Sequence, residues 1–133
     1  MLILGVNNKV NGTNNQGTIG TGWHKVALSR SLNIFSSILL INDGWNYHPG
    51  KSYIVYYLHN YDSTVAKCMI ETSYNYRRVT KMRMVSYNNN YYIECYLSDD
   101  KGTSYITAIS GDFYETNTVD TGGTVVISEI DIT

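Results

Sequence analysis

Residues 78–97 read Arg78-Val79-Thr80-Lys81-Met82-Arg83-Met84-Val85-Ser86-Tyr87-Asn88-Asn89-Asn90-Tyr91-Tyr92-Ile93-Glu94-Cys95-Tyr96-Leu97, and this stretch decides the fold class. Two runs with a two-residue period flank an Asn triplet. In the first run, Thr80, Met82 and Met84 alternate with Lys81, Arg83 and Val85. In the second, Tyr91, Ile93, Cys95 and Leu97 alternate with Tyr92, Glu94 and Tyr96. Side chains of a strand point to opposite faces in turn, so this alternation is the pattern of a half-buried strand. Asn tolerates the left-handed conformation that tight hairpin turns require. Arg78–Tyr87 and Tyr91–Leu97 are therefore expected to form a β-hairpin turning at Asn88–Asn90. Glu94 falls on the outer parity, across from Lys81 or Arg83. An exposed pair of that kind contributes a few tenths of a kcal/mol.

The same reading extends in both directions. Leu2–Val6, Trp23–Leu28, Ser36–Ile41, Ser52–His59, Thr64–Glu71, Tyr105–Ser110 and Thr124–Ile132 are further strand candidates, separated by turn residues such as Asn42-Asp43-Gly44 and Asn60–Ser63. Ser36–Ile41 is a continuous apolar run suited to a strand covered on both faces. Ala66, Cys68 and Ile70 are the expected inward set of their strand. Ser29–Phe35 leaves room for one turn of helix, and no longer stretch carries an apolar 3.6-residue period. About nine strands in 133 residues fit an all-β, antiparallel β-sandwich or jelly roll. Asn7–Gly22 is dominated by Asn, Gly and Thr and reads as loop or linker.

Composition narrows the function. Charged residues are 16% of the chain, below the roughly 25% usual for soluble domains. Two causes fit: burial of surface against other copies, or wetting by uncharged Asn, Ser, Thr and Tyr. Thirteen Tyr against two Phe is the strongest bias, and Tyr combines β propensity with a hydroxyl that can remain hydrated. The net charge of −1 offers nothing to nucleic acid or an anionic membrane. The longest apolar run, Ile38–Ile41, is far short of a transmembrane span, and Met1–Leu4 lacks the charged lead-in of a signal peptide. A single disulfide between Cys68 and Cys95 stays open, but both sit in strand-like runs without CxxC spacing and read rather as free buried thiols.

The chemistry-bearing residues do not assemble into a known catalytic pattern. His24, His48 and His59 lie in no HxH or HExxH spacing, so no metal is expected; the bland reading is half-exposed rings on strands (His24, His59) or in a loop (His48). GxSxG is absent. Asp99-Asp100 and Asp112/Glu115 are the dense acidic positions, but Asp in Gly-flanked turns is explained by local backbone hydrogen bonding, and glycan hydrolysis needs two carboxylates across a groove. Arg77-Arg78 beside Tyr74 and Tyr76 reads as a solvated edge rather than a nucleic-acid contact. No catalytic residue and no cofactor is expected, and the chain is read as a binding domain rather than an enzyme. What remains is aromatic loop chemistry. Trp45, Asn46, Tyr47 and His48 lie between two strands, and Tyr74, Tyr76 and Arg77 lie in the next connection but one. Flat aromatic faces with amide and guanidinium neighbours suit sugars and protein epitopes alike. The alternative is that Trp45 plugs the end of the sandwich and the tyrosines pack on a neighbouring copy.

Three segments in order resemble the head domains of tail fibres from phages and prophages of gut bacteria. Gly22-Trp23-His24-Lys25-Val26-Ala27 resembles their GWYRIA opening, Val79–Val85 their ITKIRVV strand, and Tyr91-Tyr92-Ile93-Glu94-Cys95-Tyr96 their YIDIYY strand. The resemblance covers about residues 20 to 115. His24 departs from the usual aromatic, and Met82 and Met84 from branched aliphatics. The resemblance implies a sandwich head carried as a homotrimer on a fibre stalk, with residues 1–19 as the stalk end or linker. It also implies a virion or extracellular location and a bacterial surface glycan or protein as receptor. It carries over no catalytic residue. A carbohydrate-binding module of a larger secreted protein and a purely structural virion component are the rival readings.

Overall fold

A computed structural model describes residues 20–29, 34–45, 48–61, 63–72, 76–98, 102–108, 112–113, 120 and 122–133. Eight strands of seven or more residues run through them: β1 Gly22–Ser29, β2 Ile34–Trp45, β3 His48–Asn60, β4 Ser63–Glu71, β5 Val79–Tyr87, β6 Asn90–Leu97, β7 Gly102–Ala108 and, numbered β9 in chain order, Val125–Asp131. Between the last two lies β8, the two-residue Asp112–Phe113. No helix occurs among the described residues. All pairings are antiparallel, in the orders β4-β3-β2-β7 and β8-β1-β6-β5-β9. The chain is an all-β sandwich, and its smaller sheet has the spatial order of a Greek key. Eight of the expected strands are present as full-length elements. Leu2–Val6, the division at residue 19 and residues 30–33 lie outside the described residues, and Ile34 and Phe35 already belong to β2.

The hairpin of residues 78–97 forms as its alternation predicts. Tyr87 pairs with Asn90, and Asn88 and Asn89 occupy positive φ of 48° and 63°. Two successive left-handed residues make the turn whose twist matches the flanking strands. One contiguous core then joins the sheets. Val79, Met82, Met84, Ile93, Cys95 and Leu97 enter it from one side, and Leu39, Ile41, Tyr53, Val55 and Tyr57 from the other. Both cysteines are free; Cys95 is buried and Cys68 half-buried.

Several parity expectations fail, and bulges are the reason. An extra residue reverses which face the following side chains occupy. The β3–β4 register steps past Met69, so Ala66 turns inward while Ile70 turns out and is 63% exposed. A step at Val26 in β1 buries both Val26 and Ala27. A step at Ile127 in β9 leaves Val125 and Val126 exposed. Nor is β2 covered on both faces: Phe35, Leu39 and Ile41 are buried, while Ile38 and Leu40 are half-buried on the outer side.

The two outer faces differ sharply. On the four-stranded sheet, cross-strand rows run Thr107–Leu40–Ile54–Ile70, Ile38–Tyr56–Lys67 and Ser36–Leu58–Val65. Lys67 is the one charged residue in these rows. On the five-stranded sheet the corresponding rows carry Lys25–Glu94–Arg83–Glu129 and Trp23–Tyr96–Lys81–Asp131.

Candidate recognition site

The antiparallel registers fix which connections meet. β2 ends and β3 begins at one end of the sandwich, where Trp45 pairs with His48 and also with Gly102 of β7. The β4–β5 connection returns to the same end: the Thr72 amide donates to the Ser52 carbonyl at 3.0 Å, and the Ser98 amide to the Arg78 carbonyl at 2.9 Å. Trp45, His48, Thr72, Arg78, the end of β6 at Leu97 and the start of β7 at Gly102 therefore lie at this one end. β1 also begins here, with Gly22 paired to Leu97. Gly50 permits the hairpin, because a Cβ there would collide with the Asp43 carbonyl oxygen.

A buried polar network stiffens this end from beneath. Asp43 accepts hydrogen bonds from the Tyr53 hydroxyl at 2.7 Å, the Arg78 amide at 2.8 Å and the Ser104 hydroxyl at 2.6 Å. The Arg78 guanidinium donates to Ser104 at 3.1 Å, and the Val79 amide to the Tyr53 oxygen at 3.2 Å. One carboxylate thus ties β2, β3, β5 and β7 together inside the core. Burial, then the charge of Asp43 and the hydrogen bond to it, push the Tyr53 phenol far above its ordinary pKa. Arg78 is fully buried, so its expected place on a solvated edge is wrong. The physical reason is that its charged head has a polar pocket to enter, and a buried cation survives only when its donors are taken up.

Of the sequence-expected site residues, Tyr76 is 52% exposed at this end. Arg77 turns away: it is part-buried, with Nε 3.9 Å from Glu71, which also pairs with Lys51 at 3.1 Å. The backbones of Trp45 and His48 close the hairpin, but their side chains, and Asn46, Tyr47 and Tyr74 entirely, lie outside the described residues. Asp99, Asp100 and Glu115 lie outside them too, as does the side chain of Asp112. His24 and His59, expected half-exposed, are both buried. His24 Nε2 sits 3.0 Å from the Gly20 carbonyl, and His59 Nδ1 lies 3.1 Å from Thr64 Oγ1 and 3.4 Å from Ser128 Oγ. Among the described residues no group of three or more His, Cys, Asp or Glu side chains could hold a metal ion, and no helix is long and apolar enough to cross a membrane.

Two features were missed by sequence reasoning. The first is on the five-stranded sheet. Glu94, expected in an exposed pair, is fully buried between Arg83 at 2.7 Å and Lys25 at 3.0 Å. Asp120 closes the cluster from above, 3.0 Å from Arg83 and 3.8 Å from Lys25, with its amide bonded to the Trp23 carbonyl at 2.7 Å. Arg83 lies 4.1 Å over the Trp23 ring, and Lys25 5.1 Å from that of Tyr87. Burial raises the Glu94 pKa, against the lowering by Arg83 and Lys25. Asp120 is also raised by burial, but bonds from the Gly122 amide and Thr124 hydroxyl outweigh this and hold it at about 2. The four charges satisfy one another, and the arrangement acts as a clasp fastening Asp120 onto the sheet. The sequence signal for it was the Lys25, Arg83 and Glu94 parity; the distant Asp120 carried none.

The second is the backbone conformation of Tyr61 in the β3–β4 turn, a turn expected at Asn60–Ser63 and found there, at the opposite end. Tyr61 holds a φ of +50° and is 63% exposed. A bulky residue there is an outlier, since the left-handed region costs roughly 1–2 kcal/mol outside Gly and Asn.

No protein-family model, curated protein or solved structure matches this chain.

Proposed function

We propose that the chain is a non-catalytic receptor-binding head of a phage-type tail fibre, recognising a bacterial surface glycan or protein. What supports this reading most is that exposed Tyr76 lies at the end of the sandwich where β2 meets β3 and β7 begins, over the buried Asp43 network. Recognition aromatics bind best when the scaffold beneath them is ordered before contact. The ordered strand motifs in β1, β5 and β6 agree with it. Individual heads bind modestly, and many copies on one particle supply avidity.

The test is adsorption of the fluorescently labelled chain to a panel of intact gut bacteria, with competition by their purified surface polysaccharides. Saturable binding to some strains is expected, weakened about tenfold by Tyr76→Ala, which is a loss of ~1.4 kcal/mol. Absence of binding across the panel would overturn the proposal.

A second placement of the same activity is favoured by Tyr61. Its exposed ring is held in a costly conformation, such outliers gather at functional sites, and it lies at the end away from the start of β1. In that placement Tyr61→Ala, rather than Tyr76→Ala, weakens adsorption.

A further inference from the structure

We infer that the four-stranded sheet carries, on its outer face at the recognition end, a seat for one pyranose ring of a bacterial surface glycan. The inference rests on the receptor-binding reading for the source of that sugar, and it chooses glycan over protein.

Two cross-strand rows make the seat. One runs Tyr105–Asn42–Ser52, and Thr72 continues it by donating its amide to the Ser52 carbonyl at 3.0 Å. Strands lie ~4.8 Å apart, so this row spans roughly 14 Å. The neighbouring row is Leu40–Ile54–Ile70. A dent of about 230 Å³ is floored by Leu40, Ile54 and Ile70 and rimmed by Ser52, Glu71 and Thr72. Sites for drug-sized ligands begin near ~300 Å³, so this one is sized for a single ring.

The rim matches hydroxyl groups. A sugar hydroxyl both donates and accepts, so reading it takes donors and acceptors side by side. The Ser52 hydroxyl donates to Asn42 Oδ1 at 2.6 Å, which makes its oxygen an acceptor toward a ligand. Thr72 Oγ1 accepts the Ser52 amide at 3.2 Å, which leaves its own hydrogen to donate. The Asn42 amide adds an NH2 donor group. Glu71 is the strongest acceptor. Its carboxylate is flanked by Lys51 at 3.1 Å and Arg77 at 3.9 Å, yet stays 45% exposed. Those cations orient it before a ligand arrives, and a charged acceptor bonds about twice as strongly as a neutral one. The C–H face of a pyranose is apolar and packs on the floor. Tyr105, 44% exposed beside Asn42, offers its ring to the next sugar along the row. An aliphatic side chain of a protein receptor would fill the floor but strip water from these polar groups without replacing its hydrogen bonds, a cost that opposes binding.

The experiment follows the backbone amide resonances of the full chain during titration with methyl pyranosides of glucose, galactose, mannose and N-acetylglucosamine. Cyclohexanol, a ring of similar size with a single hydroxyl, is the control. At least one pyranoside is expected to shift the Ser52, Ile54, Ile70 and Thr72 amides saturably, and cyclohexanol is not. Asn42→Ala and Glu71→Gln, both outside the core and checked for sheet content by circular dichroism, should each weaken that sugar about fivefold. No shift with any pyranoside overturns the inference. So does cyclohexanol acting as well as the sugars, which would assign the dent to an aliphatic side chain, and so does unchanged affinity in both variants. Adsorption to bacteria separates the seat from the reading it rests on. Wild-type adsorption that survives both substitutions undiminished overturns the seat alone. Sugar binding at the seat without adsorption to any strain supports the seat and overturns the tail-fibre reading.

Discussion

Asp43 is the residue on which the recognition end most depends. Three donors from three different elements converge on its carboxylate. Asp43→Ala leaves those three donors, the Arg78 amide among them, without their acceptor, and is expected to lower unfolding free energy by about 3 kcal/mol or more in chemical denaturation. Tyr53→Phe removes one of the bonds and strands the Val79 amide, for a loss of about 1–2 kcal/mol. Backbone conformation gives a contrasting pair. Asn89 is at φ 63° in a turn that needs it, so Asn89→Gly is expected to be nearly neutral and Asn89→Val to cost about 1 kcal/mol or more. Tyr61→Asn should leave stability unchanged or raise it by up to about 1 kcal/mol, because the native φ of 50° suits Asn better than Tyr. The Asn89 turn was legible beforehand; the roles of Asp43, Tyr53 and Tyr61 were not. Asp43 stood in an Asn-Asp-Gly triplet that reads as a turn; the structure continues β2 through it to Trp45, with a register shift against β3 at Gly44. The reason is that a buried carboxylate with three donors outweighs local turn propensity.

At the scale of elements, the Asp120 clasp makes a statement about pH. Its folded pKa of about 2 lies below the ordinary value of 3.8, so the stability it contributes is present above the unfolded pKa and is lost as pH falls from about 4 through about 2. Glu94 has the opposite sign: its raised folded pKa means that the folded state takes up the proton more readily, which favours folding as pH falls. Asp120→Asn should therefore remove the destabilising acid slope while leaving the Glu94 contribution, a difference read from denaturation midpoints across pH 2 to 5. A wild type and variant with parallel profiles would contradict the clasp. Strand positions were largely legible, because two-residue alternation reports half-burial wherever one face meets the core. Which face points inward was less so. Bulges at Val26, Met69 and Ile127 reverse parity without changing composition, so Ile70 reads as core and is not.

The whole molecule is a sandwich with one charged and clasped face, one apolar face and two loop ends. Its sheets were readable from Tyr-rich alternation, but the site was readable only as residue types. Tyr76 and Arg77 are neighbours in sequence, yet one is exposed and the other turns to Glu71, a division no spacing rule announces. Opposite ends of the fold now offer two aromatic contacts, Tyr76 at the end where Trp45 of β2 pairs with His48 of β3 and Tyr61 on the β3–β4 turn. The most direct measurement is the affinity of wild type, Tyr76→Ala and Tyr61→Ala for the bacterial strain that adsorbs the protein best. The account predicts that Tyr76→Ala weakens binding about tenfold while Tyr61→Ala leaves it within about twofold. Full affinity in Tyr76→Ala, or no saturable binding by the wild type, would contradict it.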